Sequence, residues 1–474
     1  MIILENFING ERIAPLEGQY LDNYNPTTGE VFSQLPDSSE ADLEMTVDAA
    51  QRAFPSWSLL PIDERSRYLL KISDLIESNL DRLAEAESLD NGKPVSLARS
   101  VDIPRAAANF RFFASAIVNE STQAHVMEGV AVNYTRRAPL GVVGCISPWN
   151  LPLYLLTWKI APALATGNCV IAKPSEITPY TAYLLSELIQ EADLPPGVLN
   201  IIHGTGSNIG QKLVEHHKVK AISFTGGTAT GRKIGITAAQ QFKKVSLELG
   251  GKNPVLVFAD CDFDEAVKTS VRSAFTNQGE ICLCGSRIFV EHSIYDQFKK
   301  EFVAQVKQLT VGNPTEDVNL GPLVSEQHLS KVASYVKIAR EEGGNVLTGG
   351  AKLDGSGYFF EPTVIDGLSE LCTINQEEVF GPVVTLVSFN DEEDAIQKAN
   401  STVYGLAAVI WTKDIQKAHR VAHQVEGGIV WVNCWMLRDL RTPFGGMKES
   451  GVGREGGSEA LRFFTEPQNI CVKL

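Results

Sequence analysis

The sequence predicts an α/β protein of more than one domain, built around a parallel sheet with helices on both faces. Three observations carry this expectation. The chain has 474 residues, beyond the size at which a single hydrophobic core usually stops growing. From Gly141 onward, short apolar runs alternate with helix-period stretches, the rhythm of βαβ units. Those runs, such as GVVGCIS at 141–147 and CVIA at 169–172, are nearly continuous in apolar residues. Strands buried on both faces read that way.

The elements follow in order. Short strand-like pieces open the chain, punctuated by turns at Asn25-Pro26 and Thr28-Gly29. Ser39 with Asp42 three residues on predicts a capped helix, whose buried face is Leu43, Val47, Ala50 and Phe54. Helical pattern continues to about residue 118, with a break near Pro104. Residues 141–147 and 169–172 predict strands flanking an apolar helical segment. Thr178-Pro179 is expected to cap and start the next helix, with Leu184, Leu185 and Leu188 buried and Pro195-Pro196-Gly197 ending it. Further strands are predicted at 198–202, 221–224 and 254–259, and helices near 293–309 and 330–342. The tail, 463–473, predicts an extended edge strand able to pair with another subunit.

Composition excludes several function classes. A hydrophobic fraction of 44% with 21% charged residues fits an ordinary soluble globular chain. No apolar run reaches membrane-spanning length. The opening MIILENFINGERI has no basic region ahead of an apolar stretch, so a cytoplasmic location is expected. With 42 basic and 57 acidic residues the net charge is -15, unfavourable for nucleic acid or an anionic membrane. Eight cysteines are scattered along the chain, as in a reducing compartment. Cys282 and Cys284 form the only close pair and lack a second cluster, and the adjacent His216 and His217 would point apart on a helix. No metal site is expected.

Five short stretches carry residues suited to chemistry, although each taken singly has a plainer reading. Cys282, just past a glycine turn, could be a nucleophile or an inert packed thiol. Glu248, ahead of Gly250-Gly251-Lys252, could be a general base or a surface carboxylate. Asn150, in Ser147-Pro-Trp-Asn150 after a strand, could donate to an oxyanion or serve a turn beside Pro152. Phe224-Thr-Gly226-Gly227 through Gly231 suits a cofactor-binding turn or a plain helix start. Lys173 and Glu176 could read a dinucleotide ribose or form a solvated loop. There Glu176 would repel a 2′-phosphate and so favour NAD.

Together these stretches resemble the aldehyde dehydrogenase superfamily over essentially the whole chain. The matching motifs are Phe224-Thr-Gly226, Glu248-Leu249-Gly-Gly-Lys252, Gly279-Glu280-Ile-Cys282, Glu378-Val-Phe380-Gly-Pro382, Pro443-Phe-Gly-Gly446 and Ser450-Gly-Val-Gly453. Two positions depart from the family: Gly227 stands where Ser is common, and Glu280 where Gln is usual. The resemblance implies a fold with a Rossmann-like NAD domain (1–118 and 140–250), an α/β catalytic domain (251–447) and a small β oligomerisation element with the C-terminal tail (119–139 and 448–474). A homodimer or homotetramer is implied. So is a mechanism in which Cys282 attacks the aldehyde, Asn150 stabilises the oxyanion and Glu248 activates water. By the same resemblance Trp149, Lys173, Glu176, Phe224, Gly226, Gly227, Gly231, Leu249, Glu378 and Phe380 bind NAD.

The substrate clue is a pair of arginines, Arg105 after Ile103-Pro104 and Arg438 just before the Pro-Phe-Gly-Gly motif. Arginine binds carboxylates bidentately, so the pair suits a small semialdehyde carrying a carboxylate, although each could be a structural ion pair. Ile103-Pro-Arg105, SPWNLPLYLLT at 147–157, the Arg438 segment and the ending Cys471-Val-Lys-Leu474 resemble the muconic semialdehyde dehydrogenases. Residues 277–284 resemble the aminomuconic branch more than the hydroxymuconic one. A betaine or general aliphatic aldehyde dehydrogenase, a CoA-acylating relative and a non-enzymatic binding protein are the rival readings. Two arginines disfavour a cationic substrate, and Glu248 disfavours the acylating reaction.

Overall fold

A computed structural model describes all 474 residues. The largest sheet has five parallel central strands, in spatial order Lys244–Glu248, Val219–Thr225, Val142–Ile146, Cys169–Lys173 and Leu199–Ile201. Antiparallel strands extend both edges, Gly451–Val452 at one and Asn6–Ile8 with Glu11–Ile13 at the other. Val142–Ile146 and Cys169–Lys173 are buried at every position, as the unbroken apolar runs predict. From Val142–Ile146 the chain builds outward through Cys169–Lys173 and Leu199–Ile201, then crosses to Val219–Thr225 on the other side. The strand order reverses there, and ligands bind open α/β sheets outside the carboxyl ends of strands at such a switch point.

A second sheet holds Asn345–Thr348, Thr363–Asp366, Val383–Phe389, Gly285–Glu291, Asn253–Val257, Ala407–Trp411 and Ile429–Val432, antiparallel only at the first pairing. One contiguous cluster of 90 buried apolar residues runs from the first sheet into the second. Groups contributed by the two sheets are therefore held by shared packing. The third sheet is antiparallel: Ala124–Met127, Ala131–Pro139 and Thr465–Lys473. The tail is an edge strand, as expected, and its one partner strand belongs to its own chain.

Local chemistry explains most boundaries. Ser39 and Asp42 form the reciprocal capping box that starts helix Glu40–Leu59. Near Pro104 the helix does not simply break. A π-helical turn, Ala98–Asp102, leads into helix Ile103–Val118, with Pro104 in its first turn where a missing N–H is tolerated. Thr178 does not cap helix Tyr180–Glu191. Its hydroxyl donates to the Trp149 carbonyl at 3.1 Å, and the Asp90 carboxylate accepts the Tyr180 N–H at 2.7 Å instead. The Asp90 side chain is buried on another helix and held beside Asn23 at 2.6 Å, which puts it in place to take this N–H. The same helix stops before its prolines, with Asp193 in the left-handed region at φ 55°.

Candidate active site

The loop before Cys282 is shaped by three consecutive left-handed residues, Asn277 (φ 53°), Gln278 (φ 55°) and Gly279 (φ 73°). Such conformations cost a non-glycine residue about 1–3 kcal/mol each and persist where surrounding structure enforces them. At Gly279 the enforcement is steric: a Cβ would lie 2.2 Å from the Gly381 carbonyl oxygen. The loop therefore packs directly on the Glu378–Pro382 motif. Asn253 Nδ2 donates to the carbonyls of Cys282 (2.7 Å) and Cys284 (2.9 Å), fixing the loop's exit. The Asn150 amide donates to the Glu280 carbonyl at 2.9 Å, which aims it at the same loop. The Asn150 backbone carbonyl accepts from Lys93 Nζ at 3.0 Å and Asn277 Nδ2 at 3.2 Å.

Cys282 opens onto two cavities. One, of about 220 Å³, lies at the switch point and is lined by Trp149, Asn150, Thr225, Gly226, Gly227, Leu249, Gly250, Glu378 and Phe380 among others. The other is a narrow chamber of about 20 Å³, lined by Cys282, Glu248, Arg438, Glu455 and apolar side chains. That is room for about one water molecule. Burial pushes the Cys282 thiol well up, with Glu378 and Glu248 adding to the shift and Arg438 opposing it. Glu248, at the end of its strand, is buried with neither carboxylate oxygen hydrogen-bonded. Burial raises its carboxyl well above the usual range. Glu455 adds to this, while Lys159, Arg454 and Arg438 oppose it. Lys159 is committed to Glu455 at 2.7 Å.

The larger of these two cavities fits the dinucleotide implied by the sequence. Gly227 caps helix Thr228–Gln240, a 13-residue helix whose amino end faces the cavity side of the sheet, and the buried Thr225 hydroxyl lining the cavity has no partner. Helix amino ends and free hydroxyls suit a pyrophosphate. Glu378 Oε1 accepts the Gly251 N–H at 2.9 Å, leaving carboxylate capacity for ribose hydroxyls. Phe380 stands edge-on to Trp149 with centroids 5.2 Å apart. Four predicted residues do not line the cavity. Phe224 packs below it, where a Cβ at Gly226 would meet the ring at 2.4 Å, and Gly231 makes room for Leu249 in the same way, also at 2.4 Å. Lys173 and Glu176 form a separate pair at 2.8 Å beyond the next strand, with Glu176 also accepting the Gly206 N–H.

The two arginines occupy different chambers. Arg438 is in the inner one, where Nη1 donates to the Tyr154 hydroxyl at 2.6 Å and the guanidinium stacks on Phe444 at 4.0 Å. Arg105 lines an outer vestibule of about 730 Å³ with Arg272, Leu97, Val101 and Trp435. Neither Arg105 nor Arg438 makes an ion pair within the chain. Tyr154 lies between them, with Arg105 5.8 Å from its ring centroid.

Sequence reasoning missed several neighbours. His328 and Lys331 line the switch-point cavity from a distant helix, and nothing local marks them. His328 sits 5.1 Å from Trp149, with burial holding it down at about 4 and therefore neutral. Tyr154 and Lys159 were hidden in a helix buried at every position, in which a lone lysine was the available signal. Glu455 lies two residues past the Ser450–Gly453 motif.

Comparison with known proteins matches this geometry. Residues 14–470 match the aldehyde dehydrogenase family. The 2-aminomuconic semialdehyde dehydrogenase of Bos taurus is 50% identical over 482 residues, covering 100% of this chain and 99% of the relative. The 2-hydroxymuconic semialdehyde dehydrogenase of Pseudomonas sp. (strain CF600) is 47% identical, covering 99% of each. An aldehyde dehydrogenase from Bacillus cereus, solved as its NAD+ complex, superposes with a TM-score of 0.98 at 38% identity, covering 99% of this chain and 96% of that one. The chain belongs to the aldehyde dehydrogenase family.

Proposed function

We propose that this aldehyde dehydrogenase oxidises 2-aminomuconate 6-semialdehyde to 2-aminomuconate, with NAD as cofactor. The observation that carries the substrate is Arg438: a half-buried guanidinium in the same chamber as Cys282 and Glu248, with one hydrogen bond and no carboxylate partner. An unpaired half-buried arginine suits an anionic ligand. Likeness to the aminomuconic relatives supports the amino over the hydroxy compound.

Cys282, as thiolate, bonds to the aldehyde carbon and gives a thiohemiacetal whose oxyanion accepts hydrogen bonds from the Asn150 amide and the Cys282 N–H. NAD, when bound, would supply the acceptor for the hydride that leaves that carbon. Cys282 then holds a thioester. Glu248 takes a proton from water as that water attacks the thioester, and the C–S bond breaks to release the carboxylate and the thiolate. Trp149, Gly226, Gly227, Leu249, Glu378 and Phe380 would hold the nicotinamide half of the cofactor. Phe224 and Gly231 would shape the turn, and Lys173 with Glu176 would hold the adenosine ribose. The domain division at 1–118 with 140–250, 251–447, and 119–139 with 448–474 belongs to the same reading. Exposed Val126, Met127, Tyr134 and Val472 on the third sheet support assembly into a homodimer or homotetramer there.

The test is steady-state NADH formation with freshly made 2-aminomuconic and 2-hydroxymuconic semialdehydes and a neutral six-carbon enal. The aminomuconic compound with NAD is expected to give the highest kcat/KM. A preference for the hydroxy compound would move the substrate to the other branch, and a preference for the enal would remove the role of Arg105 and Arg438. Full activity in Cys282→Ala would remove the mechanism.

A further inference from the structure

The vestibule and the inner chamber share only four lining residues: Leu151, Tyr154, Ile281 and Met436. They form the neck through which a substrate reaches Cys282. Tyr154 alone among them carries a side-chain hydrogen-bond donor. It is 2% exposed, and its backbone carbonyl is held by Asn109 Nδ2 at 3.1 Å and Thr157 Oγ1 at 3.0 Å. Asn109 thus ties the backbone that carries Tyr154 to the neighbouring helix, and burial holds the ring. Its hydroxyl oxygen accepts from Arg438 Nη1 at 2.6 Å. A guanidinium has no acceptor, so the Tyr154 proton cannot return to it and stays free to be donated elsewhere. Arg105 covers the ring from the vestibule side, 5.8 Å from its centroid.

We propose that Tyr154 is a specificity-determining residue, whose hydroxyl donates to the substrate carboxylate while anchoring Arg438 to the same anion. The inference rests on the acidic-substrate reading above and names a part of the site that the arginines alone do not supply. Arg438 provides charge, and Tyr154 fixes where that charge stands. Because the hydroxyl and the guanidinium are bonded to each other, a carboxylate in the neck meets both as one two-point clamp. A neutral aldehyde passing the same neck offers no acceptor to either at that depth.

The experiment compares wild type, Tyr154→Phe, Arg438→Met and the double variant. Each is assayed for kcat and KM with the semialdehyde acid and with the neutral enal, and melting is followed to establish folding. Removing one hydrogen bond to a charged group is expected to lower the acid-over-enal ratio of kcat/KM by about 10- to 100-fold in Y154F, through KM for the acid. The losses in Y154F and R438M should be strongly non-additive in the double variant. A wild-type enzyme with no preference for the acid would overturn both the acidic-substrate reading and the clamp. A preference that survives Y154F, equal losses on acid and enal, or additive losses would overturn the clamp alone.

Discussion

Lys93→Met tests whether a fully buried ionic cluster positions Asn150, the proposed oxyanion donor. Lys93 Nζ is bonded to Asp102, lies 3.7 Å from Glu87 Oε1, and donates to the Asn150 carbonyl at 3.0 Å, with all three side chains of the cluster inaccessible to solvent. Burial already pushes Glu87 up to about 7 and raises Asp102, and Lys93 is the main opposing influence on both. Methionine keeps the chain length and removes the cation, so two buried carboxyls lose their counter-charge. Breaking a buried pair in this way costs about 3–5 kcal/mol. An unfolding entropy of about 2.1 cal/mol/K per residue gives about 1 kcal/mol/K for a chain of this size, so Tm should fall by about 3–5 °C. The loss has a direction in pH. Carboxyls whose folded pKa exceeds the unfolded value bind more protons when folded, so their stabilising contribution is present at low pH and lost as pH rises. The Tm deficit should therefore be larger at pH 8 than at pH 6. The Asn150 backbone carbonyl keeps only Asn277 as donor, and a shift of the backbone that carries the side-chain amide should lower kcat by about tenfold. Differential scanning fluorimetry across pH, with NADH assays beside it, measures both. An unchanged Tm at pH 8 together with unchanged kcat would refute the argument.

Arg438→Met should lower kcat/KM for the semialdehyde acid by about 100-fold, the loss of roughly 3 kcal/mol of charge-assisted bonding, while the neutral enal loses far less. Equal losses on both would show a packing defect. Glu455→Gln removes a negative neighbour that raises the Glu248 carboxyl and leaves Lys159 to lower it further. The ionised form of Glu248, the proposed base, would then appear at lower pH, and the acidic limb of the kcat profile should move to lower pH, as read by stopped-flow and steady-state rates. Glu176→Gln should improve kcat/KM with NADP about 10- to 100-fold by removing repulsion of a 2′-phosphate, at some cost with NAD.

Much of the architecture was legible in the sequence because its signals are local. Unbroken apolar runs marked the buried parallel strands, and the Ser39–Asp42 spacing marked a helix start. The expected Thr178 cap is displaced because the side chain of the distant Asp90 takes the Tyr180 N–H, which no local pattern reveals. The break expected near Pro104 is instead a π-helical turn, Ala98–Asp102, running straight into helix Ile103–Val118, because a proline in the first turn lacks only an N–H that would have no partner there.

By itself the sequence determined the α/β class and the motifs that define the family, because strand burial, capping and glycine turns are written in neighbouring residues. It also supplied Cys282, Glu248, Asn150 and the two arginines as candidates, without saying what stands beside them. Only the tertiary structure decided that Glu248 and Arg438 share the inner chamber with Cys282, that Arg105 lies outside it, and that Tyr154 joins the two at the neck. Those relations join residues as far apart as Tyr154 and Arg438, which are 284 positions apart in the chain. Packing of two sheets on one core sets them, and separations of that length leave no periodic trace in the sequence.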